Sequence, residues 1–232
     1  MEVFSSVYNQ VLATHCDYIY EHSIKIDALW EQKLCDLIVQ HVEPGTDFLD
    51  IGANIGLVTL GVRKSVTGTI HCFECDNQTF NFLRYNTRLY DNIKLYNFGL
   101  SDKHNVGSMS TNSYNQGCNL FSSTLDETFK YAHSTSFSVC DKVFFSLAPL
   151  DFLQDTFTNK ISVIKIDVEG FEYHVLKGAR NVILQHRPVL LVEIFPVNID
   201  KVFRLLEEYG YSGHHVQNED YIFKWNTYST CL

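Results

Sequence analysis

The chain lacks a lysine- or arginine-rich run, an apolar stretch longer than a few residues, and a cysteine pattern that closes a metal cage. Each absence removes a class of function. A nucleic-acid reader carries a basic stripe over its contact face, whereas this sequence has a formal net charge of −9, which argues against a partner held through its phosphates. The missing basic run argues in the same way against a membrane-surface patch. A spanning helix needs about 20 consecutive apolar residues, and no segment approaches that length. The opening Met1-Glu2-Val3-Phe4 has no basic segment followed by an apolar one, so it does not read as a secretory leader. Seven cysteines, an odd and scattered set, suit reduced thiols in a cytoplasmic setting. Cys72 and Cys75 form a C-x-x-C, but no second pair or nearby histidine completes a tetrahedral zinc site.

With 45% hydrophobic and 19% charged residues, the composition is that of a globular protein. A length of 232 residues suits one α/β domain over 1–232, burying roughly 70% of its unfolded surface. Trp30, Leu34, Leu37, Ile38 and Val42 fall at helical spacing and Pro44-Gly45 ends the run, so residues 1–45 read as a helical N-terminal segment. Strands are expected at Phe48–Ile51, Ile70–Glu74, Ile93–Leu100, Ile161–Val168 and Val189–Ile194. Helices fall between them, around Ile55–Val62, Phe80–Leu83 and Phe171–Gln185, and a last one at Ile199–Tyr209 stops at Gly210. Tyr211–Val216 and Tyr221–Trp225 make a closing antiparallel hairpin. Residues 101–150 break this rhythm as an insertion, rich in Ser, Asn, Gly and Thr over 105–123 and carrying a strand at Val143–Phe145. Alternation of this kind implies a mostly parallel sheet with helices on both faces. In such sheets ligands bind outside the carboxyl ends of the strands.

The first strand runs there into Asp50-Ile51-Gly52-Ala53-Asn54-Ile55-Gly56. Gly52 permits a tight turn, and Gly56 lets helix and strand pack closely. Asp50 can accept hydrogen bonds at the crevice mouth, and Glu74, ending the second strand, is placed to take two ribose hydroxyls. The three-glycine dinucleotide fingerprint is missing, with Asn54 in place of its middle glycine, which speaks against a nicotinamide-dependent oxidoreductase. An acid such as Asp50 would repel a phosphate but welcome a cationic cofactor.

These blocks, with Phe73-Glu74, Leu100-Ser101-Asp102, Lys165-Ile166-Asp167-Val168-Glu169-Gly170, Val175-Leu176-Lys177-Gly178-Ala179, Arg187-Pro188 and Val192-Glu193-Ile194, occur in the order and spacing of the FkbM family of methyltransferases. The chain resembles that family over roughly residues 30 to 225. The resemblance implies a Rossmann-like, class I methyltransferase sheet of seven strands, the last antiparallel, with S-adenosylmethionine as cofactor and often O-methylation of sugars or natural products. It also implies that Asp50, Gly52, Asn54 and Gly56 line the methionine moiety, that Glu74 holds the ribose, and that Asp102 sits near the adenine amino group.

Lys165, Asp167 and Glu169 alternate with apolar Ile164, Ile166 and Val168, placing three charges on one face of a central strand, where charge is costly unless paired or functional. Glu193 ends the neighbouring strand in the same way. Lys165, Asp167 and Glu193 are therefore expected to converge beneath the transferable methyl as catalytic candidates. Three roles stay open: a structural ion pair, a bare general base, or oxygen ligands from Asp167 and Glu193 to Mg²⁺ or Mn²⁺. His174 is an alternative base. The 101–150 insertion, with Tyr114 and Tyr131, is expected to shape a pocket for a small-molecule or glycan acceptor. A catalytically silent cofactor-binding module, and an RNA, protein or other small-molecule acceptor, are the competing readings.

Overall fold

The computed structural model describes residues 1–13, 18–111, 120–121 and 141–226. Its centre is a seven-stranded sheet. Five parallel strands lie in the order β5 (Ile93–Tyr96), β4 (Ile70–Phe73), β3 (Asp47–Ile51), β10 (Ile161–Ile166) and β11 (Val189–Glu193). The hairpin of β12 (Tyr211–Gln217) and β13 (Asp220–Trp225) completes it, with β13 inserted antiparallel beside β11. The expected mostly parallel α/β sheet and closing hairpin are what forms.

Strand periodicity decides what each face buries. Leu49, Ile51, Ile164, Ile166, Leu190 and Val192 pack with α4 (Glu172–Gly178), α5 (Arg180–His186) and α6 (Ile199–Glu208). Phe48, Ile70, Cys72, Val163 and Leu191 pack on the other face with α1 (Gln32–His41), α2 (Leu57–Val62) and α3 (Asn77–Thr87). Asp50, Lys165 and Glu193 belong to this second set by alternation, so their charges lie under the N-terminal helices. No helix among the described residues is long and apolar enough to cross a membrane.

The N-terminal segment differs from the helical expectation. It opens with a hairpin, β1 (Glu2–Ser5) and β2 (Asn9–Leu12), followed by a short π-helical turn at Tyr20–Ile24 before α1. The Ser5 hydroxyl accepts the N–H groups of Val7 and Tyr8, and Asn9 takes the left-handed conformation that closes the turn. Tyr8, Val11 and Ala13 are then buried against Ile55, Leu57 and Leu60. Strands of four residues show too little alternation to be read from sequence.

Three other elements end earlier or split. The Ile93–Leu100 strand breaks after Tyr96, where the Asn97 side chain donates to the Glu74 carbonyl; β6 (Gly99–Leu100) joins a second sheet with β9 (Asp141–Ala148), β7 (Asn105–Thr111) and β8 (Leu120–Phe121). The polar stretch from Asn105 thus begins as a strand paired antiparallel with β9. The helix expected over 171–185 divides at Ala179, because Asp151 accepts the Asn181 and Val182 N–H groups and caps the second half. Gly178 permits the close approach there, since a Cβ would lie 1.8 Å from the Ser101 carbonyl oxygen. Finally, β10 stops at Ile166: Asp167 still donates its N–H to the Ile51 carbonyl, but Glu169 and Gly170 turn into left-handed backbone. Asp167 and Glu169 are therefore turn residues rather than strand residues.

Candidate active site

Gly52 lies flat on the end of β10. Its φ is +77°, and a Cβ would sit 1.7 Å from the Asp167 carbonyl oxygen, so only glycine fits. Beneath it Lys165 Nζ is 3.2 Å from Asp50 Oδ1, 3.4 Å from Asp167 Oδ2, and donates to the Gly52 carbonyl at 2.8 Å. Burial works against the Lys165 charge, but the Asp50 and Asp167 carboxylates outweigh it and hold its pKa above the ordinary lysine value. Asp50 is fully buried and also accepts the Thr59 hydroxyl at 2.6 Å. Asp50, expected at the methionine moiety, lies beneath the turn, with Lys165 and Thr59 as its partners. Gly56 is likewise behind the turn, against Leu83, while Gly52 and Asn54 face open space.

Two clefts meet at that turn. One encloses about 700 Å³ including its open mouth, and its walls include Phe73, Glu74, Phe98, Leu100, Met109 and Phe171. The other encloses about 1260 Å³ on the same basis; Tyr18, His22, Trp30, Glu31 and Glu193 are on its wall. Gly52, Asn54, Asp167 and Glu169 belong to both. In the first cleft Glu74 Oε2 accepts the Asn54 N–H at 3.0 Å and Oε1 accepts the Asp76 N–H at 2.8 Å. A carboxylate has about four acceptor positions, so each oxygen keeps one for a ligand. Burial pushes the Glu74 carboxyl up to about 7.

Asp102 is elsewhere. Its carboxylate pairs with Lys177 Nζ at 3.1 Å and His174 Nδ1 at 3.3 Å, and it is not among the residues lining either cleft. Burial pushes its pKa up, but Lys177 and His174 overcome this and bring it below the usual range. Two basic residues of α4 thus hold the carboxylate that the family resemblance places near the adenine amino group. The pairing also takes His174 out of the clefts, where its ring stacks on Phe171 at 4.5 Å.

Asp167, Glu169 and Glu193 do come together, each presenting a carboxylate oxygen within 4.8 Å of the others. Burial, then repulsion from Asp167 and a hydrogen bond with it, raises the Glu193 carboxyl far above its ordinary value. Glu169 is raised by burial and then by Asp167 and Glu172. The cluster can therefore present a carboxylate, a shared proton, or a set of hard oxygen ligands.

Sequence reading missed Glu31, Trp30, Tyr18 and His22, which precede the first parallel strand and enter the site by folding over it. It also left Glu169 out of the candidate set, although its charge on an apolar strand pattern was the available signal. Tyr114, Tyr131 and most of the insertion assigned to the acceptor pocket lie outside the described residues.

The methyltransferase FkbM domain model matches residues 50–212. The crystal structure of methyltransferase FkbM from Methylobacillus flagellatus KT is similar, with a TM-score of 0.52 and 19% identity over 79% of this chain and 44% of that one. This chain thus spans less than half the length of that relative. Precorrin-6y C5,15-methyltransferase from Geobacter metallireducens GS-15 is similar with a TM-score of 0.50 and 14% identity, over 86% and 91% of the two chains. No curated protein matches the sequence. At such identities the likeness of structures speaks for the fold, a class I methyltransferase sheet. The family follows from the domain match, which covers most of the chain: it belongs to the FkbM family of methyltransferases.

Proposed function

We propose that the protein transfers the methyl group of S-adenosylmethionine to a hydroxyl of a sugar or glycoconjugate. The observation that carries this reading is the junction of two clefts at Gly52, Asn54, Asp167 and Glu169. The first cleft fits the cofactor by its chemistry. Aromatic and aliphatic side chains suit a flat purine, Glu74 has acceptor positions left for ribose hydroxyls, and the carboxylates at the junction suit a cation. When bound, the cofactor supplies an electrophilic methyl on a sulfonium.

The chain's own residues then have separable tasks. Glu74 and the Asn54 turn hold the cofactor, while Lys165 and Asp50 hold the turn. Asp167 takes the proton that an acceptor hydroxyl must lose, a contribution of about 10²–10⁴-fold for a placed base. A hydrogen bond ties Glu193 to Asp167 until the acceptor's hydroxyl competes for that carboxylate. A second reading has its own support in the triad of carboxylate oxygens: Asp167 and Glu193, with Glu169, would hold Mg²⁺ or Mn²⁺ and lower the hydroxyl pKa. The free thiols of Cys35, Cys72 and Cys75 fit a reducing, cytoplasmic setting. The acid-lined junction and the net charge of −9 fit a small-molecule or glycan acceptor better than RNA.

Calorimetry tests the cofactor first. S-adenosylhomocysteine should bind and NAD should not, and Glu74→Ala should weaken binding by about 1–3 kcal/mol. A radiolabel assay over a glycan panel tests transfer. Tight cofactor binding with no transfer to any hydroxyl acceptor would instead make the protein a silent cofactor-binding module.

A further inference from the structure

The second cleft is lined by more carboxyl groups than a neutral acceptor needs. Glu31, Asp167, Glu169 and Glu193 line it, and Lys165, the one lysine among its described lining residues, is already engaged by Asp50, Asp167 and the Gly52 carbonyl. Asp167 and Glu169 also face the first cleft, where the cofactor's positive charges would meet them. Glu193 is hydrogen-bonded to Asp167. Glu31 has no such account. Among the described residues no hydrogen bond or ion pair reaches its carboxylate, and burial, then the Asp167 charge, pushes it up to about 7. Glu169 is similarly without a hydrogen bond or ion pair among the described residues, and it is half-buried on the wall of both clefts.

Beside Glu31 the cleft has an aromatic corner. The Tyr18 ring stacks on His22 at 4.0 Å and meets Trp30 edge-on at 6.0 Å, and Tyr18 is half exposed. A carboxylate that shares a cleft wall with aromatic rings suits a protonated amine, through charge-assisted hydrogen bonds and cation–π attraction. A neutral polyol would cover the rings and offer Glu31 only hydroxyl donors, a weaker match than a charge-assisted pair. An anionic acceptor would be repelled.

We propose that the acceptor carries a protonated amino group, seated between Glu31 and the Tyr18–Trp30 corner, on the same molecule as the methylated hydroxyl. This rests on the methyl-transfer reading and adds the charge of the acceptor to it.

Three hexoses that differ at one carbon test the proposal: 6-amino-6-deoxyglucose, glucose and glucuronate, titrated at pH 8 into the full chain saturated with S-adenosylhomocysteine. The amine should bind about tenfold more tightly than glucose, the equivalent of one charge-assisted pair, and glucuronate more weakly than glucose. Glu31→Gln should bring the amine close to glucose while the affinity for S-adenosylhomocysteine stays unchanged. Equal binding of amine and glucose, binding of none of the three, or a preference that survives in Glu31→Gln would overturn it. Methyl transfer to neutral sugars alone would defeat the charge assignment and leave the methyl-transfer reading standing. Failure of S-adenosylhomocysteine to bind would defeat both.

Discussion

Replacing Lys165 by methionine separates a structural role from a chemical one. The side chain keeps its length, but the charge that faces Asp50 at 3.2 Å and Asp167 at 3.4 Å is gone. Asp167 is 30% exposed and can rehydrate, whereas Asp50 is fully buried and is left as an orphan charge. Breaking a buried pair from one side costs about 3–5 kcal/mol. For a chain of this size each kcal/mol lowers Tm by about 2–4 °C, so the variant should melt roughly 6–20 °C lower. Adding Asp50→Asn removes the orphan, and the double variant should recover about 1–3 kcal/mol relative to the sum of the singles. Urea unfolding of the four proteins at pH 7, followed by circular dichroism, reads this directly. A loss below about 1 kcal/mol in Lys165→Met, or strict additivity in the double variant, would refute the reasoning. Normal stability with abolished turnover would return Lys165 to the chemistry itself.

Gly52→Ala should destabilise the chain and abolish S-adenosylhomocysteine binding, because its Cβ meets the Asp167 carbonyl oxygen; wild-type affinity in calorimetry would contradict the close approach. Asp167→Asn should keep fold and cofactor binding but lower methyl transfer by about 10²-fold or more. If EDTA also stops the wild-type enzyme and Mg²⁺ or Mn²⁺ restores it, the carboxylates act as ligands, and indifference to EDTA assigns a bare base. The pH dependence has a definite sign. Glu31, Glu74 and Glu172 are raised from 4.5 to about 7, chiefly by burial. A raised carboxyl gives stability that is complete below its unfolded pKa and lost as pH climbs through the folded one. The urea midpoint should therefore fall between pH 4.5 and about 7, and a midpoint rising over that window would count against these burials.

The parallel strands and the glycine turn were legible because each is a local pattern. Phe48, Leu49 and Ile51 flank a single acid, Asp50, just before Gly52, and Pro44-Gly45 and Pro188 mark stops that the backbone must obey. What escaped depends on residues distant in sequence. The break at Ala179 requires Asp151 to cap from another element. Asp102 has a suitable position in the chain, but Lys177 and His174 decide what its carboxylate does. Glu31 looks like an ordinary polar residue at a helix start, and its burial exists only after α1 has closed over Asp167. The conflict of charge and strand pattern at Lys165 was visible, and its resolution through Asp50 was not.

The β1–β2 hairpin is fastened to the rest of the chain by Asn86, whose side chain accepts the Leu12 N–H and donates to the Leu12 and Ile55 carbonyls. The family match begins at residue 50, so this hairpin, Tyr18, Trp30 and Glu31 all precede it. The turn and the acid triad thus lie inside the matched stretch, and the aromatic wall of the second cleft lies before it. On the proposed reading, substitutions before residue 50 can change the acceptor without touching the turn that seats the cofactor. An exchange of that segment between relatives, with Asn86 kept as the socket, is the natural unit for transplanting one acceptor preference onto another enzyme.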